Sequence, residues 1–559
     1  MTLWNAARSW PGLIASWTAC LAAGVYWLAH TPEAQLREEL RVSQFWWLEV
    51  VFWVLVALSA AQVPLLIRRA RAVMRPTAAI ALGAVVLVTV VAPRTSRIFY
   101  DEQIYQHVGQ NLSDLHLAQS CNAGSVEYGR LQCVEPEYSK EPYGYPHLLS
   151  LGYRLFGTTG RLAMLVNNAA VAVTLFAVAL ATLFLFGSTR AAVFAALVLA
   201  LTPEYLIWSN TAASEPTAVC ALSIAVLAIA VFIETRTSSS LVWAAVSAAY
   251  AVQFRPESVL LGLVVAGIVA LSAPGEFQQR RFWWAALLAV VLSAVLVGHL
   301  VAIRHEPWGT AGPRFSLAHL VANAPANGWF YLRDERFPAA FSGLAALGLL
   351  AGGRGRLRFA ALGWFIAFWG VYALFYAGSY GYGADVRYAL LTFPPLAMLA
   401  GLGCDQVTRW IGRTPIGEQR AQVLLIGLLA VQFTWYLPLV RAVGEEAWAA
   451  RADVSFAEQF AELIPRNGVV LTHNPSIFLL RGTDAAQTSL AASDTDFVRF
   501  LQQRYAGGVY LHWNFWCEVS DEVQQRFCRD TLGRYPADLV AERRERDYRF
   551  ALYRLRPLP

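Results

Sequence analysis

The feature that most constrains this chain is a succession of long apolar segments separated by short polar links. An apolar helix needs about 20 residues to cross ~30 Å of hydrocarbon. Of the 559 residues 57% are hydrophobic and only 15% are charged, whereas roughly a quarter of a soluble protein is charged. Lipid must therefore be part of the solvent, and we predict about 13 transmembrane helices. The predicted spans are 10–29, 45–67, 77–93, 161–187, 190–208, 213–233, 239–254, 256–273, 282–302, 338–352, 359–377, 388–404 and 421–440.

The distribution of arginine predicts the orientation of these spans. Short links rich in Lys and Arg remain in the cytoplasm, whereas long segments cross regardless of charge. The short links of one side are rich in arginine, for example Arg68, Arg69, Arg71, Arg75, Arg280, Arg281, Arg354, Arg356 and Arg358. We therefore expect an integral protein of a bacterial cytoplasmic membrane, with its N-terminus inside and its C-terminus outside. The run 10–28 lacks a clean cleavage site and predicts a signal anchor.

The segment after Val440 has the pattern of a soluble domain. Apolar and β-branched residues predict strands at Gly468–Thr472, Gly508–Trp513 and Tyr548–Leu555, and helical periodicity is found at 456–463 and 497–505. We predict a small α/β domain outside the membrane.

The cysteines agree with this map. Cys121 and Cys133 share the long loop 94–160, and Cys517 and Cys528 share the tail. Two local pairs on the predicted outer side favour disulfides, because that compartment is oxidising. A zinc site is the alternative, but the spacing is wrong and no His closely accompanies either pair.

The loop 94–160 opens with a pair of acidic residues, Asp101 and Glu102, followed by Tyr105. They stand where the chain leaves a predicted span and begin an amphipathic helix. Asp101 could simply cap that helix, since Asp is a favoured N-cap residue. Ionisable groups at a membrane edge are, however, functional candidates by default.

The same loop ends in a charged and aromatic turn. It contains Lys140, the only lysine of the chain, and the residues Glu141, Tyr143, Tyr145 and His147. A lysine in a chain that otherwise uses arginine suggests a need for a compact point charge. We therefore take this turn as a candidate lining of a substrate cavity.

Other candidates lie at the predicted outer ends of later spans: Glu215, Arg255, Arg387 and Tyr388. Each has a structural alternative. Ser214, Glu215 and Pro216 have the pattern of an ordinary helix start. Arg255 precedes Pro256 in a tight turn, and Arg387 could extend to the membrane interface.

Three of these motifs together resemble the GT-C superfamily of glycosyltransferases, in particular the protein O-mannosyltransferases and the lipid A aminoarabinose transferases. The motifs are Asp101-Glu102 with Tyr105, the turn from Lys140 to His147, and Asp385-Val386-Arg387-Tyr388 with Pro394-Pro395. One departure is that the aminoarabinose transferases tend to place Lys directly before the Pro, where this chain has Glu141.

The resemblance implies a polytopic α-helical membrane protein of the GT-C type with an external C-terminal α/β domain. The expected parts are two N-terminal helices (1–76), a catalytic membrane module (77–440) with external loops 94–160 and 303–337, and the tail domain (441–559). It also implies a polyprenyl-phosphate sugar donor and membrane lipid as partners. The acceptor, a glycan, lipid or protein, stays open, as does a need for a divalent metal. Nucleic acid is not an expected partner.

The same resemblance implies roles for the candidate residues. Asp101 is expected to be the catalytic base of an inverting transfer, with Glu102 positioning the acceptor or Asp101. Lys140, Arg255 and Arg387 are expected to bind the donor phosphate. The alternative function is a transporter or flippase of lipid-linked saccharides, although we find no internal repeat of the kind that transporters often show. A scaffold that has lost activity is a further alternative.

Overall fold

The computed structural model describes residues 10–306, 310, 312–351, 355–519 and 522–557. The chain divides into two compact units. The helical unit comprises Met1–Arg94, Met164–Asn210 and Ser214–Ala442, and the mixed unit comprises Thr95–Ala163, Thr211–Ala213 and Val443–Pro559. Each is described by itself.

Most helices of the helical unit lie at predicted apolar spans, whereas the helix Leu317–Phe330 lies within the predicted external loop 303–337. The α-helices are Trp10–His30, Glu33–Val86, Gly160–Phe186 (which begins in the mixed unit), Thr189–Ala200, Pro203–Trp208, Glu215–Thr235, Ser238–Ala251, Leu261–Ser272, Arg280–Leu292, Ala294–Ala302, Leu317–Phe330, Ala339–Ala351, Leu357–Leu374, Phe393–Gly412, Glu418–Thr434 and Leu437–Arg441. A π-helical turn, Leu87–Val91, and 3₁₀ turns at Pro256–Leu260, Pro274–Gln278 and Gly383–Thr392 complete it.

Among the residues that the structure describes, seven helices are long and apolar enough to cross a membrane, fewer than the predicted spans. Three further apolar helices are shorter: Thr189–Ala200, Pro256–Ser272 and Ala339–Leu350. The difference arises because several apolar runs form short or interrupted helices. The run 190–208, for example, is split between Thr189–Ala200 and Pro203–Trp208.

The predicted spans 45–67 and 77–93 form one continuous helix. The α-helix Glu33–Val86 passes directly into the π-helical turn Leu87–Val91. The arginines between the two apolar runs end the hydrophobic pattern but not the helix, because Arg is a good helix former. Pro64 and Pro76 lie inside this helix, where proline removes a backbone hydrogen bond and introduces kinks.

The buried helix Phe393–Gly412 packs against Ala339–Ala351 at glycine contacts. A Cβ atom on Gly348 would lie 1.9 Å from the Leu399 carbonyl oxygen, and one on Gly403 would lie 2.0 Å from that of Leu344. Only glycine permits this close approach. The packing fixes the helix that follows the 3₁₀ turn Gly383–Thr392, in which Arg387 lies.

The mixed unit is built around a seven-stranded sheet with the order β2-β1-β4-β3-β5-β7-β6. Its strands are β1 Ser120–Glu127, β2 Arg130–Glu137, β3 Gly468–Thr472, β4 Asp484–Gln487, β5 Gly508–Trp513, β6 Ala537–Glu545 and β7 Tyr548–Leu555. The strands β4, β3 and β5 are parallel, and the other pairs are antiparallel. The three strands expected from the sequence thus lie at the predicted residues.

Helices cover this sheet and form the rest of the mixed unit. The α-helices are Asp101–Asp114, Gly144–Phe156, Trp448–Ala461, Ser476–Leu479, Thr488–Ser493, Thr495–Arg504 and Glu522–Arg534, with 3₁₀ turns at Glu445–Ala447 and Phe515–Cys517. Two apolar cores result. One contains Phe460, Val470, Phe478 and Phe550, and the other contains Val469, Leu471, Val498 and Leu511.

The first long loop contributes two strands to the same sheet as the tail. β1 pairs with β4 through Ala123 and Ala486. The tail expected at 441–559 is therefore part of a larger unit that also contains residues 95–163. Sequence patterns missed this because β1 and β2 contain many polar residues.

Both predicted cysteine pairs are at disulfide-bonding distance. The sulfur atoms of Cys121 and Cys133 lie 2.11 Å apart, and those of Cys517 and Cys528 lie 2.08 Å apart. The first disulfide connects β1 to β2, and the second connects the turn after β5 to the helix Glu522–Arg534. The prediction of two local disulfides is confirmed.

Candidate active site

The helical unit brings together four of the predicted residues, Glu215, Arg255, Arg387 and Tyr388. Glu215 begins the helix Glu215–Thr235, and its side chain has no solvent exposure. Its Oε1 accepts hydrogen bonds from Nη1 of Arg255 at 2.6 Å and from Nε of Arg387 at 3.0 Å. Its Oε2 has no hydrogen-bond partner among the described residues. One carboxylate thus bridges two guanidinium groups.

Two tyrosines and a second glutamate complete this cluster. The Arg255 Nε donates to Oε1 of Glu257 at 2.7 Å, and the Tyr372 hydroxyl donates to the same oxygen. The rings of Tyr372 and Tyr388 are stacked, with centroids 4.3 Å apart. The Arg387 Nη2 donates to the Tyr388 hydroxyl at 3.1 Å. The aromatic rings therefore hold the guanidinium groups in fixed positions.

Sequence reasoning missed Tyr372, although a signal was present. Tyr372 lies within the predicted span 359–377 and is buried. A polar-tipped residue in an otherwise apolar span is expected to face a polar interior.

The arrangement is suited to an anionic ligand with several oxygen atoms. A guanidinium carries five N–H donors, so it can hold a carboxylate and a phosphate oxygen together. Charge-assisted hydrogen bonds of this kind are about twice as strong as neutral ones. Asp385, 3.4 Å from the Arg387 Nη1, adds a third carboxylate to the cluster.

The mixed unit contains the predicted acidic pair. Asp101 is half-buried and is the first residue of the helix Asp101–Asp114. The residue before it, Tyr100, has a φ of 56°, a backbone conformation that bulky residues rarely adopt. Its side chain is anchored in the unit, since its ring packs 5.1 Å from that of His473. The backbone on the N-terminal side of Asp101 is therefore held in place.

Glu102 differs from Asp101 because it is fully buried and bound to main-chain groups. Its Oε1 accepts from the backbone N–H groups of Arg97 at 2.6 Å and Ile98 at 3.0 Å, and its Oε2 accepts from Ala212 at 2.9 Å. Burial raises the pKa of Glu102 to about 7, although these three N–H groups oppose the shift. The side chain connects the segment before Asp101 to residues 211–213, which fits a positioning role.

The turn 138–147 holds its aromatic residues inside the mixed unit. The Tyr143 hydroxyl donates to the carbonyl of Ala118 at 3.0 Å, and the Tyr145 hydroxyl donates to that of Ala163 at 3.2 Å. His147 has no solvent exposure. We assign these three residues to the support of the loop, although the sequence suggests that they line a cavity.

Glu141 and Lys140 lie closer to the surface than these aromatic residues. The Tyr105 hydroxyl donates to Oε2 of Glu141 at 3.3 Å, which connects the helix of Asp101 to the turn. Glu141 is half-buried, and the side chain of Lys140 is exposed. Both residues are thus placed to meet a ligand more readily than the buried aromatic residues.

Two buried polar side chains near Tyr100, those of Asp453 and His512, were not recognised from the sequence. Asp453 and His512 are 1% and 0% exposed, with the Nε2 of His512 3.9 Å from Oδ1 of Asp453. Burial raises the pKa of Asp453 to about 7 and lowers that of His512 to about 3. Burial and the adjacent Asp453 also raise the pKa of Tyr100. Isolated Asp and His residues in helices and strands give no sequence signal for such a group.

Among the residues that the structure describes, no group of three or more His, Cys, Asp or Glu side chains is placed to hold a metal ion.

Comparison with known proteins supports the resemblance seen in the sequence. A model of the family described as dolichyl-phosphate-mannose-protein mannosyltransferase matches residues 140–299. No curated protein matches the chain at a significant level. The matched range includes Lys140, Glu215 and Arg255.

The fold is similar to that of solved glycosyltransferases. ArnT from Cupriavidus metallidurans, in a crystal structure with undecaprenyl phosphate, gives a TM-score of 0.54 at 14% identity, over 85% of this chain and 97% of that chain. Its apo structure gives 0.54 at 15% identity, over 85% and 96%. The Archaeoglobus fulgidus oligosaccharyltransferase gives 0.49 at 14% identity, over 83% and 72%. The two ArnT matches, with TM-scores above 0.5, show that the chain has the fold of a GT-C glycosyltransferase, and the resemblance predicted from its three motifs is confirmed.

Proposed function

We propose that this chain is a glycosyltransferase that moves a monosaccharide from a polyprenyl-phosphate donor to a glycan, lipid or protein acceptor. The observation that carries the proposal is the pair of arginines, Arg255 and Arg387, fixed on the single buried carboxylate of Glu215. A chain with the GT-C fold has this charged cluster among its apolar helices, where buried charge is expensive and usually functional.

The two arginines are proposed to bind the phosphate of the donor. Glu215 and the stacked Tyr372 and Tyr388 keep the guanidinium groups in place, so little entropy is lost when an anion binds. The exposed Lys140 is proposed to add a further positive charge. Its compact ammonium group can approach a phosphate oxygen without the planar geometry that Arg requires.

Asp101 is proposed to be the general base. Its carboxylate removes the proton from the acceptor hydroxyl as the acceptor oxygen forms a bond with the anomeric carbon. The bond from the anomeric carbon to the phosphate oxygen breaks, and the polyprenyl phosphate leaves with the electron pair. A single displacement of this kind inverts the anomeric configuration. Glu102 holds the backbone on which Asp101 stands.

The reaction is proposed to occur at the outer face of a bacterial cytoplasmic membrane. The arginine-rich short links favour a cytoplasmic N-terminus, and the two disulfides of the mixed unit favour an oxidising compartment. A reporter that works only in the cytoplasm, fused after Pro559, should be silent. Strong reporter activity there would reverse the proposed orientation.

The test of the reaction compares purified wild type with Asp101→Asn in nanodiscs that contain a polyprenyl-phosphate sugar. The structure places Tyr100 at the N-cap and Asp101 in the first turn, where losing a carboxylate costs only about 0.3–1 kcal/mol, so this variant should fold normally. Loss of a general base should slow turnover by roughly 10²–10⁴-fold. Sugar release from the lipid and product formation are both measured.

Asp496→Asn is the matched control, because the Asp496 side chain is 80% exposed on a helix of the same unit. It should turn over like the wild type. Near-normal turnover by Asp101→Asn would remove Asp101 from the chemistry. Absence of turnover in the wild type with every polyprenyl-phosphate sugar supplied would contradict the proposed donor class.

A further inference from the structure

The mixed unit contains a pocket at the edge of its sheet where the parallel strands end. The pocket has a volume of about 220 Å³ and is lined by His473, Gln487, Thr488, Ser489, Trp516, Phe527 and Cys528. We name it the sheet-edge pocket. His473 directly follows β3, Gln487 ends β4, and Trp516 lies in the turn after β5. The carboxyl ends of all three parallel strands therefore contribute to it.

This position is the one where open α/β sheets bind ligands. β3 lies between β4 and β5. The connection from β3 leads to its neighbour on one side, β4, and the next connection leads to its neighbour on the other side, β5. Ligands bind at such a point of reversal, outside the carboxyl ends of the strands. The topology of the sheet thus supports a binding site independently of the residues that line it.

Two buried polar groups of the pocket have no hydrogen-bond partner among the described residues. They are Oγ1 of Thr488, a residue only 4% exposed, and Nε1 of Trp516. A buried polar group without a partner destabilises the fold, and such groups are rare in native proteins. A ligand with hydroxyl groups would satisfy both. The Ser489 hydroxyl, by contrast, donates to Oε1 of Gln487 at 3.1 Å.

The composition of the lining defines the chemical class of the ligand. It contains hydroxyl, amide and indole groups beside the rings of His473, Trp516 and Phe527, and none of the lining residues that the structure describes is Asp, Glu, Lys or Arg. A phosphate would have no cationic partner there. The volume lies below the roughly 300–1,000 Å³ of pockets for drug-sized ligands. A single neutral sugar ring, with polar edges and an apolar face, fits these properties.

The pocket also borders the residue that precedes the proposed base. The Tyr100 ring lies 5.1 Å from that of His473 and 6.2 Å from that of Trp516. We propose that the sheet-edge pocket binds a neutral sugar unit of the acceptor, with Thr488 and Trp516 as its hydrogen-bonding partners. That the ligand is part of the acceptor rests on the proposed glycosyltransferase function. That the ligand is a neutral sugar rests on the residues that line the pocket.

Binding is tested with the full-length protein in nanodiscs by saturation-transfer NMR. The probes are the methyl glycosides of mannose, glucose, galactose and N-acetylglucosamine, with glucuronic acid as the charged counterpart. Thr488→Val keeps the shape of the side chain and removes only its hydroxyl group. Trp516→Phe keeps an aromatic ring but removes the indole N–H together with part of the ring system. Each should weaken binding of the preferred glycoside by about 3- to 10-fold, and glucuronic acid should bind more weakly than neutral probes.

Thr495→Val is the control, because it makes the same change at an exposed position of the same unit that does not line the pocket. It should bind like the wild type, and thermal unfolding should show that all three variants are folded. No binding of any neutral glycoside to the wild type, or unchanged affinity in both pocket variants, would overturn the proposal. Reduced affinity for the polyprenyl-phosphate sugar in Thr488→Val would overturn its assignment to the acceptor.

The variant Asp101→Asn separates this proposal from the proposed reaction. It should lose turnover and still bind the glycoside. If Asp101→Asn retains turnover and glycoside binding depends on Thr488, Asp101 is not the general base and the pocket remains a sugar site. If Asp101→Asn loses turnover and no glycoside binds, the pocket is not a sugar site and the proposed reaction stands.

Discussion

The helical unit and the mixed unit both bury carboxylates, but they compensate them in different ways. In the helical unit, Glu215 contacts Arg255 and Arg387, so opposite charges meet directly. In the mixed unit, Glu102 is bound by backbone N–H groups. Asp453 lies beside His512, a ring that burial keeps neutral because its pKa falls to about 3.

The difference indicates two kinds of chemistry. A buried carboxylate between two arginines holds their guanidinium groups in place, as a phosphate site requires. Burial raises the pKa of both Glu102 and Asp453 to about 7, so these carboxylates are protonated more easily than exposed ones. We therefore expect the stability of the helical unit to depend on its buried charges and the stability of the mixed unit to depend on pH.

The largest effect is expected from Glu215→Gln, which breaks the charge pairing of the helical unit. Two guanidinium groups would remain buried without the carboxylate that bridges them. Removing one partner of a buried ion pair costs about 3–5 kcal/mol, so thermal unfolding in detergent should shift strongly downward. Glu418→Gln, in which the lost carboxylate is 53% exposed and paired with Arg190, is the control and should cost no more than about 1 kcal/mol. Equal shifts would mean that burial does not distinguish the two sites.

A smaller effect, on donor binding, is expected from Arg387→Gln. Glu215 keeps Arg255 as a partner at 2.6 Å, so the fold should survive. Losing one charge-assisted contact should cost about 1.5–3 kcal/mol of donor affinity, which direct binding of a polyprenyl-phosphate sugar measures. Lys140→Gln should act in the same direction, with Arg413→Gln, at an exposed position of the helical unit, as the control. Unchanged donor affinity in both test variants would contradict the phosphate assignment.

The motifs of the charged cluster were accessible from the sequence because they interrupt apolar runs. Glu215, Arg255 and Arg387 each stand at the end of a predicted span, and the structure brings them together. Their pairing could not be predicted, since Arg255 and Arg387 are far apart in the chain. The predicted number of spans is not confirmed, because several of the apolar runs form helices shorter than the about 20 residues that a span needs.

The mixed unit was harder to predict. The strands β3, β5 and β7 are apolar enough to be recognised, but β1 and β2 come from a distant loop. The sheet-edge pocket depends on residues that follow three different strands. Thr488 and Trp516 carry no pattern of their own, because only the topology of the sheet brings them together.

The smallest effect concerns the pH dependence of the mixed unit. Burial raises the pKa of Asp453 from 3.8 to about 7. Between these values the unfolded chain has lost the proton while the folded chain retains it, so stability falls as the pH rises through this window. Asn does not titrate, so Asp453→Asn removes this pH-dependent loss of stability. The stability of the variant relative to the wild type should therefore increase from pH 5 to pH 7 and then level off.

We expect a change of about 1 kcal/mol across the window, or roughly 2–4 °C in Tm for a unit of this size, because relaxation around a buried carboxylate reduces the cost of its charge. Thermal unfolding of both proteins from pH 5 to pH 8 measures it. Glu102 is present in both proteins, so its own titration cancels in the difference. Asp496→Asn, at a side chain that is 80% exposed, should give a difference that does not vary with pH. A flat difference for Asp453→Asn as well would show that the folded mixed unit accepts the Asp453 charge without cost, and the contrast between the two units would then lie in Glu102 alone.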